Sequence, residues 1–262
     1  MKKAILVVSF GTTHRQAVAE DLVPVEQALA AAFPDRELRR AFTSGVIRRK
    51  LLRRDGIKVD GVVEALEALR LEGFQDVLLQ PTHLLNGTES DRLNAEAKLY
   101  ALAFERFTMG RPLLTFFCED YFRLADGIME ELPDLADHEA LILIGHGTLH
   151  HTNATYAALE YVFHDRGYPN VFVGTLESYP GIEEVIRRLD EQINVRQVYL
   201  APLLLVAGAH VQESMAGNDA NTWVNQLKAH NYQPIPLFRG LGGYASVQRL
   251  FVDHAKDALN QR

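Results

Sequence analysis

Cysteine is almost absent: Cys118 is the only one in 262 residues. An intrachain disulfide is excluded, and so is a cluster of cysteine ligands around a metal. Any metal bound here has to be held by histidine and carboxylate, which favours a borderline or hard divalent ion. A surplus of positive charge is also lacking. Lys and Arg total 27 against 34 Asp and Glu, a net charge of −7. That balance argues against wholesale binding to nucleic acid or to an anionic membrane. No apolar run approaches the ~20 residues of a membrane-spanning helix. Lys2-Lys3 followed by the apolar stretch 4–10 imitates a signal peptide, with Ala17-Val18-Ala19 as its cleavage site. The stretch stops at Gly11-Thr12-Thr13-His14-Arg15, at the short limit for such a segment. Cleavage there would remove what reads as the first core strand, so a cytoplasmic protein is expected. A His-Glu-x-x-His helix is missing too, which leaves a metallohydrolase without its commonest signature.

What is present is organised around residues 140–151, Ala-Leu-Ile-Leu-Ile-Gly-His-Gly-Thr-Leu-His-His. A continuous apolar run closed by a turn predicts a strand buried on both faces. The flanking glycines let the backbone turn sharply and approach a ligand. His146 then sits at the carboxyl end of a buried strand, where open α/β sheets bind ligands.

The rest of the chain alternates strands with helices. Strands are predicted at 4–9, 38–42, 76–80 and 113–117, and again at 140–144, 171–176, 197–200 and 236–238. Helices are predicted from Val18 to Phe33, and over 46–54, 62–71, 90–107, 121–132, 153–164, 182–192, 221–229 and 246–259. This order implies mainly parallel sheets with helices on both faces. It also repeats. Ile5 to Thr12 matches Leu141 to Thr148, placing Phe10 opposite His146. Thr43-Ser44 matches Glu177-Ser178, and Gln80-Pro81 matches Ala201-Pro202, which sets Glu89 opposite His210. The fold class is therefore α/β, two similar Rossmann-like lobes, 1–135 and 136–262, with an active-site cleft between them.

Three strand-end positions of the second lobe carry His146, Glu177 and His210. Two imidazoles and a carboxylate with vacant positions suit an exchangeable divalent metal. Phe10, Thr43 and Glu89, at the matching places in the first lobe, are not a ligand set, so the site is one-sided. His83 lies in the loop after the third strand and is a candidate proton carrier. His150 and His151 read as surface or helix-start residues. The run Arg48 to Arg54 is a solvated helix face that can also attract an acidic substrate.

Gly145-His146-Gly147 with His150-His151-Thr152-Asn153-Ala154 resembles the histidine loop of the anaerobic cobalt chelatases. Leu176 to Pro180, Pro202 to His210, Ser9 to Thr13 and Leu85 to Glu89 resemble that family's other segments, in the same order along the chain. The resemblance implies a class II chelatase, bilobal and ferrochelatase-like, inserting Co²⁺ into sirohydrochlorin or precorrin-2 without ATP. Co²⁺ is then a substrate, Fe²⁺ is accepted in vitro, and haem is not expected. It implies His146, Glu177 and His210 as metal ligands. His146 and Glu177 are the candidate proton acceptors, and Phe10, Gly11, Thr12, His83 and Glu89 meet the tetrapyrrole. The long amphipathic helices offer a face for a homo-oligomer. A His/Glu metallohydrolase and a non-catalytic metal or tetrapyrrole carrier are the alternative readings.

Overall fold

The apolar runs become strands shut off from water on both faces. In the computed structural model of the chain, the described residues are 1–132, 134–192 and 194–260, with His210 described through its backbone alone. β1 (Lys3–Ser9), β2 (Glu37–Phe42), β3 (Asp76–Pro81) and β4 (Arg106–Met109) form one sheet in the order β2-β1-β3-β4. β5 (Glu139–Gly145), β6 (Val171–Thr175), β7 (Gln197–Pro202) and β8 (Gln233–Pro236) form a second, in the order β6-β5-β7-β8. Neighbouring strands are parallel throughout. Ile5, Leu6, Val7 and Val8 are fully buried, as are Ile142 and Ile144, the burial that a parallel sheet covered by helices requires.

In the first half, α1 (Arg15–Ala17) passes through a π turn at Val18–Leu22 into α2 (Val23–Ala32), followed by α3 (Gly45–Asp55), α4 (Val62–Leu71) and α5 (Thr88–Lys98). Then come α6 (Cys118–Glu131), α7 (Ala154–Asp165), α8 (Ile182–Asp190), α9 (Ala209–Ala216), α10 (Trp223–Ala229) and α11 (Ala245–Asn260). Leu66 and Leu69 of α4 and Leu93 of α5 pack on Leu6, Val8 and Leu79. In the other sheet, Val185 and Leu189 of α8 and Trp223 and Leu227 of α10 pack on Ile142, Ile144 and Leu200.

The internal repeat holds at the level of register. Val8 pairs with Pro81, and Ile144 with Pro202. Thr82 N–H then donates to Val8 O at 2.9 Å, and Leu203 N–H to Ile144 O at 2.8 Å. One correspondence shifts by a residue. Thr43 and Ser44 donate to Ser9 O and Phe10 O, whereas Leu176 and Glu177 donate to Gly145 O and His146 O. The first-half counterpart of Glu177 is therefore Ser44, not Thr43.

The chain divides into two compact units, residues 1–116 with the chain from Gln248 onward, and residues 117–247. A single cut at 135/136 does not describe this. In the second unit, the Ser246 hydroxyl donates to Gly127 O of α6 at 3.0 Å, and Arg166 beyond α7 bonds Asp126. In the first, Arg111 pairs with Asp257 of α11 at 2.8 Å, and Arg106 donates to Leu259 O at 2.7 Å. Each half thus gives its last helix, or most of it, to the other half's unit.

Four local predictions differ. The helix expected over 90–107 ends at Lys98, and the fourth strand is Arg106–Met109 rather than 113–117. Leu93, Ala97, Tyr100, Phe104 and Phe107 all pack into one core at near-helical spacing, so the pattern does not reveal the change to strand. Leu114 makes only an isolated bridge with Leu85. The last strand is Gln233–Pro236, where two prolines are tolerated because β8 is an edge. No helix is predicted over 209–216, where α9 forms after the N-cap Gly208. Among the described residues, no helix is long and apolar enough to cross a membrane.

Candidate functional site

β5 ends on Gly145, and no side chain fits there: a Cβ would lie 2.2 Å from the Tyr156 ring. His146 follows, and Gly147 turns the chain with φ +85°. The parallel ladder continues one step past the sheet, with Glu177 N–H donating to His146 O at 3.0 Å. That step stands the two side chains together. His146 Nε2 lies 3.6 Å from Glu177 Oε1, with the side chains 47% and 56% exposed. The separation is too long for a hydrogen bond. Two ligand atoms each ~2.1 Å from one tetrahedral ion lie about 3.4 Å apart, so this spacing suits a shared divalent cation. His146 Nδ1 is 3.2 Å from Gly147 O, which fits the tautomer that keeps Nε2 as the ligand.

The third predicted ligand, His210, has its side chain outside the described residues. Its backbone occupies the second position of α9, after the N-cap Gly208, as Glu89 occupies the second position of α5 after Gly87. Among the described residues no group of three or more His, Cys, Asp or Glu is placed to hold a metal. The described part of the predicted trio is the His146–Glu177 pair.

The loops around the pair are tied down from below. Tyr156, buried in α7, accepts from Gly147 N–H through its hydroxyl at 3.4 Å. Burial raises its phenol above the ordinary value. The Ser178 hydroxyl donates to Thr148 O at 3.3 Å. Asn153 accepts from Thr148 N–H at 3.0 Å and donates to Tyr179 O at 2.6 Å. Sequence reasoning gave Asn153 and Tyr156 no separate role, since their partners are backbone groups of loops that only the fold brings near. His150 caps a helical turn, as expected, accepting from Thr152 N–H at 3.3 Å.

Gly147 is the most constrained point of this loop. A Cβ would lie 2.8 Å from Ser178 Cβ and 2.9 Å from its backbone nitrogen, at a φ that side chains rarely adopt. Gly147→Ala is expected to push the His146 loop away from the Glu177 loop and to reduce metal binding by about 10-fold or more. Titration with Co²⁺ checks this; affinity equal to wild type would show that the loop absorbs the methyl.

In the first unit, Phe10 is half exposed and Thr12 is buried. The Thr12 hydroxyl accepts from His14 N–H at 3.1 Å, a local turn contact. Gly11 has φ +95° and lies against the Phe42 ring. Glu89 Oε2 is buried without a hydrogen-bond partner among the described residues, and so are both ring nitrogens of His83. Desolvation pushes the His83 imidazole down to about 4. The neutral imidazole is therefore favoured at pH 7 in this arrangement. The consequence is acid sensitivity. The unfolded chain takes up this proton below about pH 6.5 and the folded chain only near pH 4. The stabilisation is complete above pH 6.5 and is lost progressively as pH falls towards 4, by about 3 kcal/mol. Urea unfolding of wild type and His83→Gln should diverge by that amount between pH 7.5 and 4; parallel curves would exclude it.

The basic face of α3 is only partly neutralised. Arg48 pairs with Glu64 at 3.0 Å and Arg54 with Asp55 at 2.6 Å. Among the described residues, Arg49, Lys50 and Arg53 form no ion pair.

The cobalt chelatase (CbiK) family model matches residues 3–260. A sirohydrochlorin cobaltochelatase of Salmonella typhimurium is 40% identical over 260 residues, covering 99% of this chain and 97% of that protein. A sirohydrochlorin cobaltochelatase, CbiKC, of Nitratidesulfovibrio vulgaris is 32% identical, covering 99% and 91%. In fold, the chain is similar to SirB from Bacillus subtilis with Fe³⁺, with a TM-score of 0.69 at 18% identity over 99% and 97% of the two chains. The repeated β2-β1-β3-β4 topology, the glycine-flanked histidine at the end of β5 and a match that runs nearly from end to end place this chain in the cobalt chelatase (CbiK) family.

Proposed function

We propose that this chain inserts Co²⁺ into sirohydrochlorin, or its precursor precorrin-2, without ATP, as a step towards cobalamin. The observation that carries the reading is the His146–Glu177 pair, 3.6 Å apart and half exposed at the carboxyl edge of the second sheet, in a chain matched by the family over 3–260. Co²⁺ is a substrate, received by His146 Nε2, Glu177 Oε1 and His210. The half exposure of both described ligands favours moderate holding and ready exchange. Tight holding would defeat transfer to four ring nitrogens.

The exchange balances without an energy source: the ring gains one divalent ion and loses two N–H protons. An imidazole whose metal bond has just broken is a base suited to neutral pH. His146 therefore takes one ring proton as the metal leaves, and Glu177 is placed beside it for the second. Histidine and carboxylate do not favour Co²⁺ by affinity, since Ni²⁺ and Cu²⁺ bind such ligands more tightly. Fe²⁺ insertion in vitro follows from the same indifference, and haem has no part in this scheme.

The test is an anaerobic absorbance time course of metal-free protein, sirohydrochlorin and Co²⁺ beside a protein-free control. Many turnovers to the cobalt complex support the reading. A shift that stops at one equivalent identifies a carrier. No tetrapyrrole binding overturns the proposal and brings a metallohydrolase forward.

A further inference from the structure

We propose that Asn153 is a positioning residue for metal capture: its amide sets the separation of the loop carrying His146 from the loop carrying Glu177. This rests on the reading of those two residues as ligands. Both loops leave the sheet. The last rung between them is Glu177 N–H to His146 O, and from there no ladder holds them. Yet metal capture requires the imidazole and the carboxylate to stay within a few tenths of an ångström of a fixed spacing. Something beyond the sheet has to supply that constraint.

Asn153 is built into the structure at that place. It stands at the junction of a 3₁₀ turn, His151–Asn153, and α7, whose Tyr156, Leu159 and Phe163 are buried. An asparagine at a helix start ordinarily accepts from the backbone N–H two or three residues on. Here the side chain makes no such cap, although Asn153 occupies the N-cap position of α7. Both ends of the amide go elsewhere instead. Oδ1 accepts from Thr148 N–H at 3.0 Å, two residues after His146. Nδ2 donates to Tyr179 O at 2.6 Å, two residues after Glu177. One planar group, fixed to a packed helix, thus reaches the same offset on both ligand-bearing loops. The Ser178 hydroxyl contact to Thr148 O links the same two segments directly, but it joins one loop to the other and does not refer either to the helix.

The energetic logic is preorganisation. Two loops free to drift must be ordered when the metal arrives, and that cost is subtracted from affinity. Residues that orient ligands without touching the metal typically contribute 10- to 100-fold in affinity. Asn153→Ala removes both contacts. Asn153→Gln keeps the amide but lengthens the arm by one methylene, so it cannot meet both loops from the same backbone position.

The experiment is an anaerobic Co²⁺ titration of the full chain followed by the visible d–d bands, with wild type, Asn153→Ala, Asn153→Gln and Glu177→Ala. Far-UV circular dichroism and thermal midpoints are measured beside it. Expected are a 10- to 100-fold weaker Co²⁺ affinity in both Asn153 variants, an altered d–d envelope, and native circular dichroism. In insertion assays the KM for Co²⁺ rises more than kcat falls. If Asn153→Ala does not fold, Asn153→Gln decides alone. Affinity within twofold of wild type, with unchanged bands, overturns the proposal. If Glu177→Ala loses Co²⁺ while the Asn153 variants keep it, the clamp fails and the metal site stands. If wild type binds no Co²⁺, both fail together.

Discussion

Replacing His146 by Ala is expected to lower cobalt insertion by about 100-fold or more, at least ~2.7 kcal/mol of activation free energy, while leaving the fold intact. The two halves of this expectation have separate causes. His146 lies past the end of β5 with its side chain 47% exposed, so truncation opens no core cavity, a usual source of large destabilisation. The chemistry loses more. On the proposed reading, Nε2 is one of the atoms that receive the cation and a base for a ring proton as the metal leaves. Glu177→Gln is the companion: it keeps the shape and the loop contacts but removes the charge that favours a dication, and a loss of similar size is expected. Measuring kcat/KM for Co²⁺ with circular dichroism on the same samples separates the halves. Wild-type rates in His146→Ala would remove the residue from the mechanism. A collapse of ellipticity would mean that the exposed ring has a structural role its surroundings do not suggest.

The parts of this molecule that were legible in sequence are those in which one residue type has one physical use. Ile5 to Val8 and Leu141 to Ile144 read as two-face-buried strands because only such strands are continuously apolar over so short a run. Gly145 and Gly147 marked the site because one has a tyrosine ring where a Cβ would be and the other has a positive φ. Legibility fails where a pattern has two solutions. Tyr100, Phe104 and Phe107 serve the same core whether the chain is helix or strand, so β4 was hidden inside a helical spacing. The amphipathic faces of α6 and α11 announce burial but not which sheet they cover, so their exchange between units could not be read. Matching Thr43-Ser44 to Glu177-Ser178 relied on a shared serine, whereas hydrogen bonding aligns Ser44 with Glu177. Asn153 is a further case, since an asparagine before a helix looks like a cap until its partners are seen.

The largest loss of stability is expected outside the proposed metal site, at Asp76. Arg36, in the turn after α2, donates to both Asp76 carboxylate oxygens, at 2.8 and 2.9 Å, and also to Ala4 O at 3.3 Å. Both side chains are 4% exposed. The pair therefore joins the amino ends of β1 and β3 beneath the first sheet. Asp76→Ala leaves a guanidinium buried without its anion, and the cost of breaking one side of such a pair is about 3–5 kcal/mol. At about 2–4 °C per kcal/mol for a unit of this size, the thermal midpoint should fall by roughly 10 °C. If the two units melt separately in calorimetry, only the transition of the first should move. Replacing both partners, Arg36→Met with Asp76→Leu, should recover most of the loss, because neither charge is then stranded. Asp76 is neither a proposed metal ligand nor a proposed tetrapyrrole contact, so cobalt insertion well below the melting range should survive in Asp76→Ala. A midpoint within 1–2 °C of wild type would mean that water reaches Arg36 readily once the carboxylate is gone, and that the bidentate contact contributes geometry rather than stability.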